Sequence, residues 1–465
     1  MNADLLYVVG LVAVLLGVIV SIGLHEIGHL VPAKLFGVRV TQYMIGFGRT
    51  VFSRTRGETE YGLKLIPLGG YISMVGMFPP ARTKRRGRLF EPAGTDLAPE
   101  VPAESDPARA RTASTGFFSG LVQDARDSSQ EQIRPGEEHR AFYRLPVWKR
   151  VVIMLGGPVM NLALGILFTG IVLCGFGVVQ PTTTIQSISQ CVKPARSTST
   201  SCTAADERAP AAASGLKPGD VITAVNGRAV ARWTDVTDVI RRSANTPITL
   251  TVRRDGATSS VRVTPRENTV AVTDAQGTPV KDGSGKVETT QVGFIGISPT
   301  EALAQQPVSA VLPAVGNNVA SVAGVIVNLP QRLVGVAQAA FGSGQRDPNG
   351  PIGVVGVGRI AGEIAASDQV PVVSKVAGIV GILGSLNIAL FVFNLIPLLP
   401  LDGGHVIGAL WEGLRRSVAR LLHRRDPGPV DTAKLMPLTF AVAILLGGMS
   451  LLLVYADIVR PITLF

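Results

Sequence analysis

The chain has 465 residues, 46% of them hydrophobic, a mean hydropathy of +0.34 and a formal net charge of +11. That length holds several domains, and that hydropathy points to a membrane protein. The positive charge does not point to nucleic acid: it is gathered into loops between apolar stretches, and no aromatic-interleaved basic surface or reading motif accompanies it.

The first apolar stretch, 5–24, has the ~20 residues that crossing a hydrocarbon core requires. No basic residue precedes it and no small-residue cleavage site follows, so it reads as an anchor rather than a removed signal peptide. It closes on His25-Glu26-Ile27-Gly28-His29, within a first segment 1–30. On a helix, two His four residues apart share one face and can hold Zn²⁺ together. Glu26, one residue along, turns sideways from the metal toward its water, the position of a general base rather than a ligand. An acidic side chain at the centre of a spanning helix costs about 2.5–3.5 kcal/mol on an insertion scale, so such groups normally serve a function. Zinc chemistry inside the bilayer is the first expectation.

Residues 31–78 alternate apolar and polar positions from 38 to 77 and contain Gly46, Gly48, Gly69 and Gly70, which suggests short strands in a membrane-associated β-hairpin. Segment 79–147 turns polar and charged, has few apolar clusters and reads as flexible, with Phe117-Phe118 a weak signal for a docking helix. Its Arg82, Lys84, Arg85, Arg86 and Arg88, like Arg415, Arg416, Arg420, Arg424 and Arg425 further on, mark cytosolic loops. Both chain ends and the large region after the second span then face outward.

The second span, 151–179 within segment 148–180, carries Cys174 as an apolar filler. Segment 182–300 looks β-rich, with strands at 249–252 and 260–264 around the turn Arg254-Asp255-Gly256. Cys191 and Cys202 fall in it, and a disulfide closing that short loop fits an oxidising compartment, the alternative being two unpaired thiols. Segment 301–375 includes an uncharged run at 302–331. Asn317, Asn318, Asn328 and Pro313 suit an interfacial helix there better than a fifth span. Parity agrees, because a fifth span would put Asp402 on the opposite face from His25 and His29.

The third span, 376–401 within segment 376–404, breaks its own helix at Pro397 and Pro400 and then turns at Gly403-Gly404. Non-helical backbone at membrane depth survives only beside protein or a watery cavity. A carboxylate placed there reads as the third zinc ligand, Asp402, with His405 as a rival; Zn²⁺ in a hydrolytic site keeps its fourth position for water. His139 and His423 sit in charged loops and read as solvated. A basic loop, 405–434, leads to the fourth span, 435–456 within 435–458.

Two resemblances follow. Ser214-Gly215-Leu216-Lys217-Pro218-Gly219-Asp220-Val221-Ile222, followed by Asn226-Gly227, resembles a bacterial PDZ domain, a plain β-domain being the alternative. PDZ folds bind extended peptides at a sheet edge. His25-Glu26-x-x-His29, Gly156-Gly157-Pro158-x-x-Asn161 and Asn394-x-x-Pro397-x-x-Pro400-Leu401-Asp402-Gly403 together resemble the site-2 protease family of intramembrane zinc metalloproteases. A single PDZ with a cysteine pair looks like the family's actinobacterial regulators of intramembrane proteolysis.

The resemblance implies a polytopic α-helical membrane protein, with four core transmembrane helices, a membrane-associated β-hairpin and an inserted β-rich PDZ domain. It implies a metalloendopeptidase with one Zn²⁺ per chain, in a bacterial plasma membrane, with both termini and the PDZ domain extracytoplasmic. Its substrates would be single-span membrane proteins trimmed beforehand, anti-sigma factors or signal-peptide remnants. Asn394 would then hold substrate backbone, Asn161 and the Gly156-Gly157-Pro158 kink would shape the cavity wall, and the glycine-rich hairpin would pair with unwound substrate. The competing expectations are a membrane-anchored quality-control zincin, which needs a helical Glu ligand, and a non-enzymatic PDZ scaffold.

Overall fold

The computed structural model describes residues 2–80, 129, 133–192, 202–203, 206–272, 280, 286–342, 344, 346–348 and 350–462. Most of segment 79–147, with the basic residues 82–88 and Phe117-Phe118, lies outside the described residues. Two compact units emerge: Met1–Gly175 with Pro307–Phe465, and Phe176–Gln306.

In the first unit α1 (Ala3–Leu35) is apolar on nearly all sides and carries the His-Glu-x-x-His segment well inside the helix, continuing past the expected end. Strands β1 (Val40–Arg56) and β2 (Thr59–Met74) form one long hairpin that folds back on itself. Residues 42–45 are partnered on one side by 70–73 and on the other by 60–63. Gly46 and Gly69 make the bends, at φ +91° and +114°, a backbone region that side chains with a Cβ rarely enter. Segment 70–74 is left with no strand on its other side among the described residues. After two short 3₁₀ turns, of which Phe142 is buried, α2 (Val147–Gly170) runs antiparallel to α1. The two backbones approach so closely at Gly28 and Gly156 that neither position admits a Cβ, a crossing that small residues make possible in membranes.

The second unit is β-rich. Strands β3 (Val178–Ile188), β4 (Val221–Val225), β5 (Arg228–Ala229), β6 (Ile248–Arg254), β7 (Ala257–Val263) and β10 (Ile297–Ala304) form one sheet, ordered β10-β3-β4-β6-β7 with β5 beside β4. Strands β8 (Arg266–Ala271) and β9 (Thr289–Phe294) pair separately. The expected turn joins β6 to β7, with Asp255 and Gly256 at positive φ. Helices α3 (Pro210–Ser214) and α4 (Trp233–Arg242) complete the unit, and Val236 and Ile240 of α4 pack on Ile185, Ile222, Leu250 and Val252 of the sheet.

Back in the first unit, α5 (Val311–Val327), α6 (Leu329–Phe341) and α7 (Val354–Ala366) precede α8 (Val372–Asn394), α9 (Asp402–Leu421) and α10 (Met436–Val459). Among the described residues, five helices are long and apolar enough to cross a membrane by length and composition: the four expected ones and Val308–Val327, in the stretch expected at the interface. Val311 and Val315 of this helix are buried in one cluster with Ile388 of α8. Helix α8 runs in the same direction as α1, as the expected same-side placement of Asp402 requires: Gly17 meets Leu383, and Ser21 accepts a hydrogen bond from Asn387 one turn on. One expectation is corrected: the first half of 405–434 is not a loop but the continuation of α9. Ile407, Leu410, Trp411, Leu414 and Val418 recur there at helical spacing on an exposed face, opposite buried Ala409 and Glu412.

Candidate metal centre

His25 and His29 stand one turn apart on α1 with their Nε2 atoms 3.2 Å from each other. Asp402, in the first turn of α9, places Oδ2 3.4 Å from each of those nitrogens. Ligands at about 2.0–2.1 Å around a tetrahedral zinc ion stand about 3.3 Å apart, so this triangle has the size of one face of such a site. Asp402 Oδ2 is buried without a hydrogen-bond donor, which is unusual for a carboxylate oxygen that binds nothing. Among the described residues, this is the one cluster of three or more His, Cys, Asp or Glu whose ligand atoms converge.

Each element has a local reason to deliver its ligand. On α1 the i, i+4 spacing aligns the imidazoles. Helix α8 ends at Asn394, and segment 395–401 is non-helical, with the Leu399–Pro400 peptide cis. Gly403 and Gly404 press against the backbone of 395–399 so tightly that a Cβ at either would collide, which allows α9 to begin directly at Asp402. Helix α2 supports the centre from behind. His29 Nδ1 lies 2.7 Å from Ile153 O, and His25 Nδ1 lies 3.0 Å from the side-chain nitrogen of Asn161. Gly157 faces both Nε2 atoms, and a Cβ there would occupy the space that the ligands share.

Glu26, buried, lies under the hairpin: a Cβ at Gly70 would stand 2.9 Å from its Cγ and 3.2 Å from its Oε1. Tyr43 of β1 donates to Gly23 O at 2.8 Å and ties the sheet to α1 just before the motif. The remaining hairpin glycines sit elsewhere. Gly46 packs on the Ile66 backbone and Gly69 on the Phe47 ring, while a Cβ at Gly48 would meet the Ile66 side chain. Asn394 is half-buried at the end of α8. His405 lies outside the ligand triangle and lines a small cavity with Phe142, Arg150 and Glu412. His139 and His423 are exposed, and Cys191 and Cys202 are joined, Cα atoms 5.9 Å apart.

Sequence reasoning gave two contributors another role and missed a third. Gly157 and Asn161 were expected to shape a cavity wall, whereas they touch the ligand imidazoles themselves. The buried pair Arg150–Glu412 joins α2 to α9, with Val430 N also donating to Glu412. Its signal was available: charges set in apolar stretches, on two elements that a metal ligand makes neighbours.

Known proteins match this chain over most of its length. The sequence profile of Peptidase family M50 matches residues 13–423. The zinc metalloprotease Rip1 of Mycobacterium tuberculosis is 30% identical over 471 residues, which cover 99% of this chain and 100% of the relative. The metalloprotease MmpA of Caulobacter vibrioides is 26% identical, covering 89% of each chain. The regulator of sigma-W protease RasP of Bacillus subtilis is 26% identical over 84% of this chain and 87% of its own.

Proposed function

The chain belongs to peptidase family M50, the site-2 proteases, and from that premise we propose that His25, His29 and Asp402 bind its zinc ion while Glu26 serves as general base. It is a multi-pass membrane protein and a zinc metalloendopeptidase of regulated intramembrane proteolysis. One observation carries the residue assignment. Three donor atoms from residues 25, 29 and 402 stand 3.2–3.4 Å apart, the spacing a tetrahedral zinc site demands.

Bound there, zinc lowers the pKa of water and polarises the scissile carbonyl, so that attack proceeds without a covalent intermediate. Glu26 removes the proton from the attacking water and returns it to the departing amide nitrogen as the C–N bond breaks. Burial of Glu26 beneath Gly70 keeps bulk water from competing for that proton. A substrate helix hides its peptide bonds, and its unwound backbone needs partners when water is absent. Segment 70–72, paired on one side with 43–45, runs beside Glu26, and substrate added as a strand along its other side would present its backbone to the ligand triangle. Asn394, before the non-helical 395–401, holds the strand from the other side.

The substrates we propose are single-span membrane proteins already trimmed outside the membrane, such as anti-sigma factors or signal-peptide remnants; the name of the Bacillus relative RasP, a regulator of sigma-W, supports the first class. The unit Phe176–Gln306 acts as a PDZ domain that admits only trimmed substrates, on the extracytoplasmic side with both termini. The test is the full chain in detergent with a single-span substrate. Glu26→Gln is expected to retain stoichiometric zinc and lose cleavage, and Asp402→Ala to lose zinc. Undiminished turnover by the first variant, or unchanged metal in the second, overturns the corresponding assignment.

A further inference from the structure

Resting on that zinc assignment, a finer role emerges for Asn161. The residue is 1% exposed on α2, with its side-chain nitrogen 3.0 Å from His25 Nδ1 and its Oδ1 left without a partner. An amide nitrogen and oxygen share nearly the same outline, so a half-turn of the group exchanges them in place. His25 turns Nε2 toward Nε2 of His29 and Oδ2 of Asp402. A neutral imidazole that offers a lone pair at Nε2 carries its proton on Nδ1. An N–H at Nδ1 facing an amide N–H would set two donors against each other in a buried site, at the cost of a desolvated polar group. The exchanged amide removes that conflict and gives Oδ1 the donor it lacks.

The geometry points to Asn161 as a positioning residue whose amide oxygen accepts from His25 Nδ1–H, fixing the tautomer that leaves Nε2 free for zinc. His29 has the same arrangement built from backbone, its Nδ1 lying 2.7 Å from Ile153 O. One helix therefore presents an acceptor to the rear of each imidazole, and the side-chain one is open to mutation. Partners of this kind orient a ligating histidine and raise its basicity.

The experiment uses the full chain in detergent in a Glu26→Gln background, so that no readout depends on turnover. Zinc loading is followed against free zinc set by a chelator buffer. Asn161→Asp has the same outline and only acceptors; Asn161→Leu has the outline and no acceptor. The expected result is that Asn161→Asp loads at the same or lower free zinc as the parent, while Asn161→Leu needs about 10–100-fold more. Equal weakening by both variants, or no weakening by Asn161→Leu, overturns the inference. Where Asn161→Leu loses the helical circular dichroism of the parent, Asn161→Ala takes its place under the same criterion. A parent that binds no zinc, or that keeps it after His25→Ala, overturns the zinc assignment and this inference with it; a zinc-binding parent indifferent to residue 161 overturns the inference alone.

Discussion

A single hydrogen atom decides whether the centre has room for its metal. Gly157 faces both Nε2 atoms of the proposed ligands with nothing but its Cα, and an added methyl would overlap each, so the imidazoles would have to shift. Gly157→Ala is expected to leave the helices folded, since alanine is the better helix former by about 1 kcal/mol. It should also lower zinc affinity by at least about tenfold, comparable to losing a partner behind a ligand. Metal analysis beside circular dichroism checks this, and normal zinc in a folded variant would contradict it. The three converging side chains proposed as ligands were legible in the sequence, His25 and His29 through helical spacing and Asp402 through the helix broken ahead of it. Gly157 and Asn161 were legible only as a motif, because their task depends on how closely two helix backbones cross at Gly28 and Gly156, and no periodicity along one strand of sequence reports that distance.

The elements that carry the ligands are held by polar pairs with little exposure to solvent. Arg150 of α2 meets Glu412 of α9, both buried, and Glu412 is also reached by Arg416 and Val430 N. Asp402 begins the same helix, so this pair fixes α9 against the helix that backs His25 and His29. Removing one partner strands the other charge, at about 3–5 kcal/mol for a buried pair. Glu412→Leu should therefore lower the thermal unfolding temperature in detergent, and Arg150→Met added to it should recover most of the loss. A double variant no more stable than Glu412→Leu would mean the pair is not the tie. A second buried pair, Arg346–Asp457 at 2.6 Å, secures α10 to the start of α7, where Gly353 N and Gly356 N also donate to Asp457. At this scale the hairpin, the spans and the break before Asp402 were readable. Helix α9 was not, because its arginines suggested a loop while its apolar stripe at 407, 410, 411, 414 and 418 keeps helical period. In helix α5 the asparagines that argued for an interface include Asn318, which donates to Ser385 of α8.

For the whole molecule, the unit Phe176–Gln306 matters through two properties of its own. Its sheet contains a pH-sensitive lock. Asp220 is buried and bonded to Arg254 at 2.6 and 2.7 Å, and that guanidinium holds its carboxyl below the usual carboxylate range. Because the native value is depressed, the stabilisation is complete above the unfolded value of about 3.9 and lost as pH falls through the native one. Asp220→Asn should flatten that acid limb and cost about 1.5–3 kcal/mol at neutral pH, the worth of a hydrogen bond to a charged group. Trp233, packed on this core, reports it once Trp148 and Trp411 are replaced by Phe; an acid limb as steep as the parent's would exclude the lock. The second property is how the unit is entered and left. Strands β3 and β10 pair along their length, with Pro181 opposite Glu301 and Val178 opposite Ala304. Paired residues on neighbouring strands have Cα atoms about 5 Å apart, so excising 182–300 leaves ends that a few Gly and Ser residues can bridge. The proposed zinc ligands and Glu26 all lie in the other unit, so the excised chain should keep zinc and cleave a trimmed substrate. If the unit is the gate, the same chain should now also cleave an untrimmed single-span substrate that the full chain spares. Continued refusal of the untrimmed substrate, with trimmed substrate still cut, would place the discrimination in the membrane unit instead.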